Sequence, residues 1–179
     1  MVHDPSLLKP AAEIGRRLTQ RHESLVLAES VTGGWIGAML TSIPGSSKWF
    51  EGAFVAYQTG AKQRWLGIPS ADLAGDGAVS EAVARWMLRG AFAAADADWA
   101  LATTGYAGSR LGCDPRVARA PQAFHPEEPT GLVYIGWGRR GPANLLELIR
   151  RYRFSGNRES IRHATVRMAL AGLLEQLDG

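Results

Sequence analysis

The chain has 179 residues and a formal net charge of +3, and this length fits one domain that buries a sizeable core. Cys113 is the only cysteine, no apolar run approaches the length of a membrane span, and the histidines are scattered, so we expect no disulfide, membrane association or metal site. The positive charge is mild and carried almost wholly by arginine, which is a weak argument for any partner. From the length and the lack of a long apolar run we expect a single cytoplasmic domain over residues 1–179, and we expect no cofactor.

The first half of the chain alternates helices and strands. Apolar residues spaced four, three and four apart predict a helix over 7–18, and a strand over 24–28 follows. A glycine-rich turn leads into a helix at 35–40. A second buried strand is predicted at 53–57, and a short helix at 61–66 follows it.

The second half contains one more helix of this kind and three further strands. The alanine-rich helix at 80–95 begins at Ser80, a good N-cap, and a strand over 98–103 follows. A proline-rich stretch at 109–129 is predicted to be a surface excursion. Two strands at 131–137 and 145–154 form an antiparallel hairpin.

A last helix begins at the cap Asn157 and completes a pattern of helices interleaved with about five strands. This pattern favours an α/β fold, a three-layer α/β/α sandwich with a mixed, mostly parallel sheet. Ligands of such open sheets bind at the carboxyl ends of the strands. Ser30, Tyr57 and the turn at 104–108 follow such ends, so we expect them to lie at one edge of the sheet.

The turn after the first strand carries a hydroxyl within a glycine-rich segment, Ala28-Glu29-Ser30-Val31-Thr32-Gly33-Gly34. Backbone N–H groups at the start of the following helix suit an anion or a developing oxyanion beside Ser30. The alternative is that Ser30 and Thr32 only cap this helix, which is the commoner role of such residues.

Seven segments of the chain occur in the order found in one protein family: 29–34, 44–50, 57–62, 77–80, 104–108, 129–131 and 154–158. With these segments the sequence resembles the CinA C-terminal domain family, and in particular its stand-alone nicotinamide mononucleotide amidohydrolases. The resemblance covers nearly the whole chain. It implies hydrolysis of the carboxamide of nicotinamide mononucleotide to nicotinate mononucleotide and ammonia, and it implies a homodimer or higher homo-oligomer.

Amide hydrolysis needs a nucleophile, a base and donors for the tetrahedral oxyanion. Under the resemblance Ser30 is the nucleophile and Lys62 the base, provided that burial lowers its pKa. Tyr57 holds the lysine or donates to the leaving amide. Backbone N–H groups of Thr32, Gly33 and Gly34 are the expected oxyanion donors. The expected contacts to phosphate and ribose are Ser46, Ser47, Gly105, Ala107, Gly108 and Arg158.

Outside the resemblance these residues have plainer interpretations. A lysine such as Lys62 is usually a solvated helix charge, and Tyr57 at a strand end is ordinarily half-buried packing. The chain also departs from the family, which has an asparagine and a glutamate at Thr59 and Gly60 and a lysine at Glu128. Arginines of the loop could compensate for Glu128, namely Arg110, Arg116 and Arg119.

These departures leave two alternatives to the amidohydrolase. One is a diverged member with a changed substrate, or one that only binds a nucleotide. The other is a nucleic-acid-binding protein, which we rank well below the enzyme, so we expect no nucleic-acid partner. Its binding surface would consist of Arg150, Arg151, Arg153, Arg158, Arg162 and Arg167.

Overall fold

A computed structural model gives the structure of the protein and describes residues 4–108, 130–142 and 144–179. The five strands are β1 (Leu25–Glu29), β2 (Phe50–Val55), β3 (Trp99–Gly105), β4 (Leu132–Arg140) and β5 (Leu145–Arg153). The six α-helices are α1 (Pro5–Arg21), α2 (Trp35–Thr41), α3 (Thr59–Leu66), α4 (Ser70–Gly75), α5 (Glu81–Ala94) and α6 (Arg158–Asp178). The predicted excursion at 109–129, with Cys113 and Glu128, lies outside the described residues.

The strands form one mixed sheet in the order β2-β1-β3-β4-β5. Strand β1 lies between β2 and β3 and is parallel to both. Strand β4 is antiparallel to β3 and to β5, so β5 runs in the same direction as the first three strands. The predicted mixed, mostly parallel sheet with a terminal hairpin is therefore confirmed.

Side chains alternate between the two faces of the sheet, and each face is covered by helices. In β1, Leu25 and Leu27 belong to the core beneath α1, α2 and α6, while Val26 and Ala28 belong to the core beneath α3, α4 and α5. Both cores are closed, since all four side chains are at most 1% exposed. The three-layer α/β/α sandwich is thus confirmed.

Local capping agrees with the sequence at two helices. The Ser80 hydroxyl accepts from the backbone N–H of Val83 at the start of α5, and Asn157 Oδ1 accepts from the N–H of Ser160 at the start of α6. Both satisfy N–H groups that have no partner within the helix.

Two features of the sequence prediction were wrong. The second strand spans Phe50–Val55 and is not buried, because it forms the edge of the sheet and its residues alternate between half-buried and exposed. Tyr57 consequently lies two residues beyond its end. The short helix α4 and a 3₁₀ turn at Ser46–Lys48 were not predicted, since segments this short carry no detectable apolar periodicity.

The shared direction of four strands fixes where the site lies. We call the side of the sheet at which β1, β2, β3 and β5 end the carboxyl edge. Ser30, Tyr57, the residues after Gly105 and the start of α6 all follow these ends. Four segments distant in the sequence therefore converge at the carboxyl edge, as expected for an open α/β sheet.

Candidate active site

Ser30 continues β1 beyond its last residue. Its backbone N–H donates to the carbonyl oxygen of Thr103 at 2.9 Å, so it stays beside β3. The residue is 6% exposed, and its hydroxyl makes no hydrogen bond with any described residue. Every fully buried side-chain nitrogen or oxygen in the described ranges has a partner, so the unpaired hydroxyl must contact solvent. Ser30 therefore presents a free oxygen at the carboxyl edge.

Glu29, which sequence analysis did not single out, caps α2. Its side chain is fully buried and accepts three backbone N–H bonds, from Gly34 at 3.0 Å, Ile36 at 3.2 Å and Gly37 at 2.8 Å. The helix start needs no hydroxyl cap, so the alternative in which Ser30 and Thr32 are caps is wrong. Thr32 Oγ1 instead lies 2.8 Å from Thr103 Oγ1. A glutamate directly before a glycine-rich helix start was the signal available in the sequence.

Two of the three predicted oxyanion donors are already occupied. The Gly33 N–H donates to the carbonyl of Ser30 at 3.0 Å, and the Gly34 N–H donates to Glu29. Their expected role is therefore corrected, because a bonded N–H is not free for substrate. The N–H groups of Val31 and Thr32 have no acceptor among the described residues. These are the two residues that directly follow Ser30.

Lys62 projects from α3 into the interior and is 2% exposed. Its Nζ donates to the carbonyl of Ala78 at 2.8 Å and to Thr104 Oγ1 at 2.9 Å. Burial lowers the pKa of Lys62 from 10.5 to about 8, since a desolvated ammonium is costly. The interpretation of Lys62 as a solvated helix charge is wrong. About a tenth of the amine is neutral at pH 7 with such a pKa.

The register of the sheet connects Lys62 with Ser30. Glu29 is paired with Thr103 across the parallel strands, so the next residue on each strand, Ser30 and Thr104, are neighbours. Adjacent strands lie about 4.8 Å apart. The buried amine is therefore bonded to the residue beside the free hydroxyl of Ser30.

Tyr57 contacts an arginine rather than Lys62. The tyrosine is 54% exposed, and its hydroxyl accepts a hydrogen bond from Arg158 Nη2 at the start of α6. No Tyr57–Lys62 hydrogen bond occurs in the described structure, so the predicted tie between these two side chains is not formed. Gly108 lies under Arg158, since a Cβ there would be 3.9 Å from Nη1. Arg158 thus joins the ends of β2, β3 and β5.

Gly105 and Ala107 have structural reasons for their size. A Cβ at Gly105 would lie 2.6 Å from Val133 Cγ2, so this glycine allows close packing with β4. Ala107 is 4% exposed and belongs to the core beneath α6. Both residues therefore have a packing role, and their expected contact with phosphate or ribose stays a prediction.

Ser46 and Ser47 lie at the end of the sheet opposite the carboxyl edge. They belong to the 3₁₀ turn just before β2. The carbonyl of Trp49, the residue after this turn, accepts a hydrogen bond from the N–H of Leu25, which is the first residue of β1. Five or six residues of strand, about 17 Å, separate this position from the carboxyl edge. The chain therefore does not bring Ser46 or Ser47 to its own Ser30, and their expected ligand contact is corrected for a single chain.

The arginines of the nucleic-acid alternative do not form one free surface. Arg150 pairs with Glu175 at 2.8 Å and stacks on Trp137, and Arg158 bonds to Tyr57. The arginine cluster therefore offers no continuous free surface to nucleic acid.

The described residues also contain no metal site: within these ranges no group of three His, Cys, Asp or Glu side chains could hold a metal ion. None of the helices in those ranges is long and apolar enough to cross a bilayer.

A family model and curated relatives match nearly the whole chain. A sequence model of the CinA C-terminal domain matches residues 8–177. The nicotinamide-nucleotide amidohydrolase PncC of Pseudomonas putida is 39% identical over 165 residues, which cover 92% of this chain and 93% of that protein. A CinA-like protein of Syntrophotalea carbinolica is 41% identical over 93% of this chain, but the match spans only 37% of that longer relative.

A solved structure has the same fold. The competence damage-inducible protein A from Klebsiella pneumoniae superposes with a TM-score of 0.83 at 32% identity, covering 96% of this chain and 97% of that one. The family model thus spans nearly the whole chain, and the fold is the same over 96% of it. The protein belongs to the CinA C-terminal domain family.

Proposed function

We propose that the protein hydrolyses the carboxamide of nicotinamide mononucleotide, giving nicotinate mononucleotide and ammonia. The observation that carries the proposal is Lys62, a buried lysine whose pKa is lowered to about 8, bonded to the residue beside the free hydroxyl of Ser30. The relative from Pseudomonas putida, named for this activity and matched over nearly its full length, supports the substrate.

In the proposed reaction Ser30 Oγ attacks the carboxamide carbon and its proton passes to neutral Lys62. The tetrahedral intermediate collapses, the C–N bond breaks and the lysine returns the proton to the leaving ammonia. A water molecule then attacks the acyl-enzyme, with Lys62 again as base, and nicotinate mononucleotide leaves as Ser30 regains its proton. The net change is one amide and one water to one acid and one ammonia.

The hydrogen bonds of Lys62 suit this role. A neutral amine has two N–H donors and one lone pair, and two acceptors already take the donors, the carbonyl of Ala78 and the hydroxyl of Thr104. Thr104 in turn donates to the same carbonyl at 2.8 Å, so its lone pair is directed to the lysine. The remaining lone pair of Lys62 is then available for the proton of Ser30.

Tyr57 and Arg158 are the proposed contacts to the nucleotide. The exposed guanidinium of Arg158 is the charged donor at the carboxyl edge that suits a phosphate, and the Tyr57 hydroxyl fixes its position. The proposal includes a homodimer and a cytoplasmic location, both implied by the family resemblance. A changed substrate is the second candidate, because Thr59 and Gly60 replace a family asparagine and glutamate at the start of α3.

The test is ammonia release from nicotinamide mononucleotide, with the mass of the acid product measured. Ser30→Ala and Lys62→Ala should each abolish activity, while Ser42→Ala and Lys9→Ala, exposed positions on other parts of the surface, should retain it. Full activity in Ser30→Ala would refute the nucleophile. An inactive but folded wild type that hydrolyses a different pyridine carboxamide would favour the changed substrate.

A further inference from the structure

Arg162 of α6 contacts the turn that carries Ser30. It lies one helical turn after Arg158, and its Nε donates to the carbonyl of Val31 at 3.2 Å while Nη2 donates to the carbonyl of Thr32 at 2.6 Å. These carbonyls belong to the two residues that follow the proposed nucleophile. In the sequence, Arg162 stands out only as a member of the arginine cluster of the nucleic-acid alternative.

Packing fixes the guanidinium in this place. Its Cζ lies over the ring of Trp35, the first residue of α2, at 5.4 Å from the ring centroid. A Cβ on Gly33 would come within 3.3 Å of Nη2, so Arg162 is packed directly on the turn. Gly33 also has a φ of +62°, which favours glycine independently. The half-buried arginine is therefore part of the turn rather than a solvated charge.

Glu29 and Arg162 hold the turn after β1 from two sides, one through backbone N–H groups and the other through backbone carbonyls. Glu29 accepts N–H bonds from the start of α2, and Arg162 donates to carbonyls on the preceding side. Among the described residues the carbonyl of Val31 accepts from Arg162 alone. Removal of the guanidinium would leave this carbonyl unpaired and free the peptide units next to Ser30.

We propose that Arg162 is a positioning residue for Ser30. It holds the peptide units of Val31 and Thr32, and thereby the hydroxyl of Ser30 and the two adjacent N–H groups that lack an acceptor. This inference rests on the proposed function, in which Ser30 is the nucleophile. An error of about 1 Å in the placement of a reacting group can cost a hundredfold in rate.

The competing role is a direct contact with the substrate. Arginine has five N–H donors, and Arg162 uses Nε and Nη2 on the turn, whereas its Nη1 donates to no residue in the described ranges. A substrate contact made equally in ground and transition states would change KM, whereas misplacement of Ser30 would change kcat. Steady-state kinetics therefore separate the two roles.

The experiment compares Arg162→Gln, Arg162→Lys and the control Arg167→Gln, which removes the same charge from an exposed position of α6. We expect kcat for nicotinamide mononucleotide to fall at least about tenfold in Arg162→Gln, with KM within about twofold. Arg162→Lys, which can bond one carbonyl, should be intermediate, and Arg167→Gln should match the wild type. Hydrogen exchange of the peptide covering residues 30–37 should be about tenfold faster in Arg162→Gln only.

A rise in KM at constant kcat would overturn the proposal in favour of a substrate contact. Unchanged exchange across residues 30–37 would overturn it whatever the kinetics show. Hydrogen exchange needs no substrate, so failure of the proposed function can be distinguished from failure of this inference. A wild type inactive on nicotinamide mononucleotide would refute the proposed function. The exchange data would still decide whether Arg162 holds the turn.

Discussion

Lys62 donates to the hydroxyl of Thr104 at 2.9 Å, and this hydroxyl donates onward to the carbonyl of Ala78, which Lys62 also contacts. The three groups form a closed set of hydrogen bonds around a buried amine. Ser30 is the neighbour of Thr104 on the adjacent strand. The set therefore connects the fold of the sheet with the proton chemistry of the site.

The pH dependence of kcat/KM should show one ascending limb with a midpoint near pH 8. Only neutral Lys62 can accept the proton of Ser30, and burial lowers its pKa to about 8. Rates measured from pH 6 to pH 9.5 would test this. A flat profile across this range would contradict Lys62 as the base.

Thr104→Val should lower kcat by about tenfold and shift the ascending limb to lower pH. The substitution keeps the shape but removes an acceptor that stabilises the ammonium form, so the pKa of Lys62 should fall further. Thr104→Ser should restore both the rate and the midpoint. An unshifted limb in Thr104→Val would show that this hydroxyl does not influence the lysine.

Lys62→Met should change how stability depends on pH. The pKa of Lys62 is lower in the folded state, so between pH 8 and pH 10.5 the unfolded chain binds more protons and wild-type stability rises with pH. Relative to Lys62→Met, the wild type should gain about 3 kcal/mol from pH 7 to pH 11. Urea unfolding of both proteins at several pH values measures this difference. A constant difference would contradict the lowered pKa.

Tyr57→Phe should weaken substrate binding without impairing the chemical step. The substitution removes the hydroxyl that accepts from Arg158, so the guanidinium loses one fixed partner. We expect KM to rise about fivefold at unchanged kcat, and Arg158→Gln to raise it further. A large fall of kcat in Tyr57→Phe would instead place this hydroxyl in the chemical step.

Glu29→Gln should destabilise the protein. An amide in place of the carboxylate can accept fewer of the three N–H bonds at the start of α2, and it brings donors into a fully buried position. The loss in the free energy of unfolding should be about 3 kcal/mol by chemical denaturation. Glu51→Gln, on an exposed position of β2, is the matched control and should change little.

Much of the fold could be predicted because it follows from local signals. The apolar spacing of Leu7, Ala11, Ile14 and Leu18 predicts α1, and these residues are all buried. The turn signals separated the strands well enough to predict a mixed sheet. The second strand failed because its position at the sheet edge is decided by which strand pairs with it, and no local pattern contains that information.

Site residues divide in the same way. The sequence by itself determined that a hydroxyl, Ser30, lies on a glycine-rich turn between strand and helix, because residue type and chain order suffice for that. Only the tertiary structure decided that Lys62 is desolvated, that Glu29 and Arg162 hold the turn, and that Ser46 and Ser47 lie at the far side of the sheet. Burial, pKa and hydrogen-bond partners depend on segments far apart in the chain, and these meet only when the strands pair.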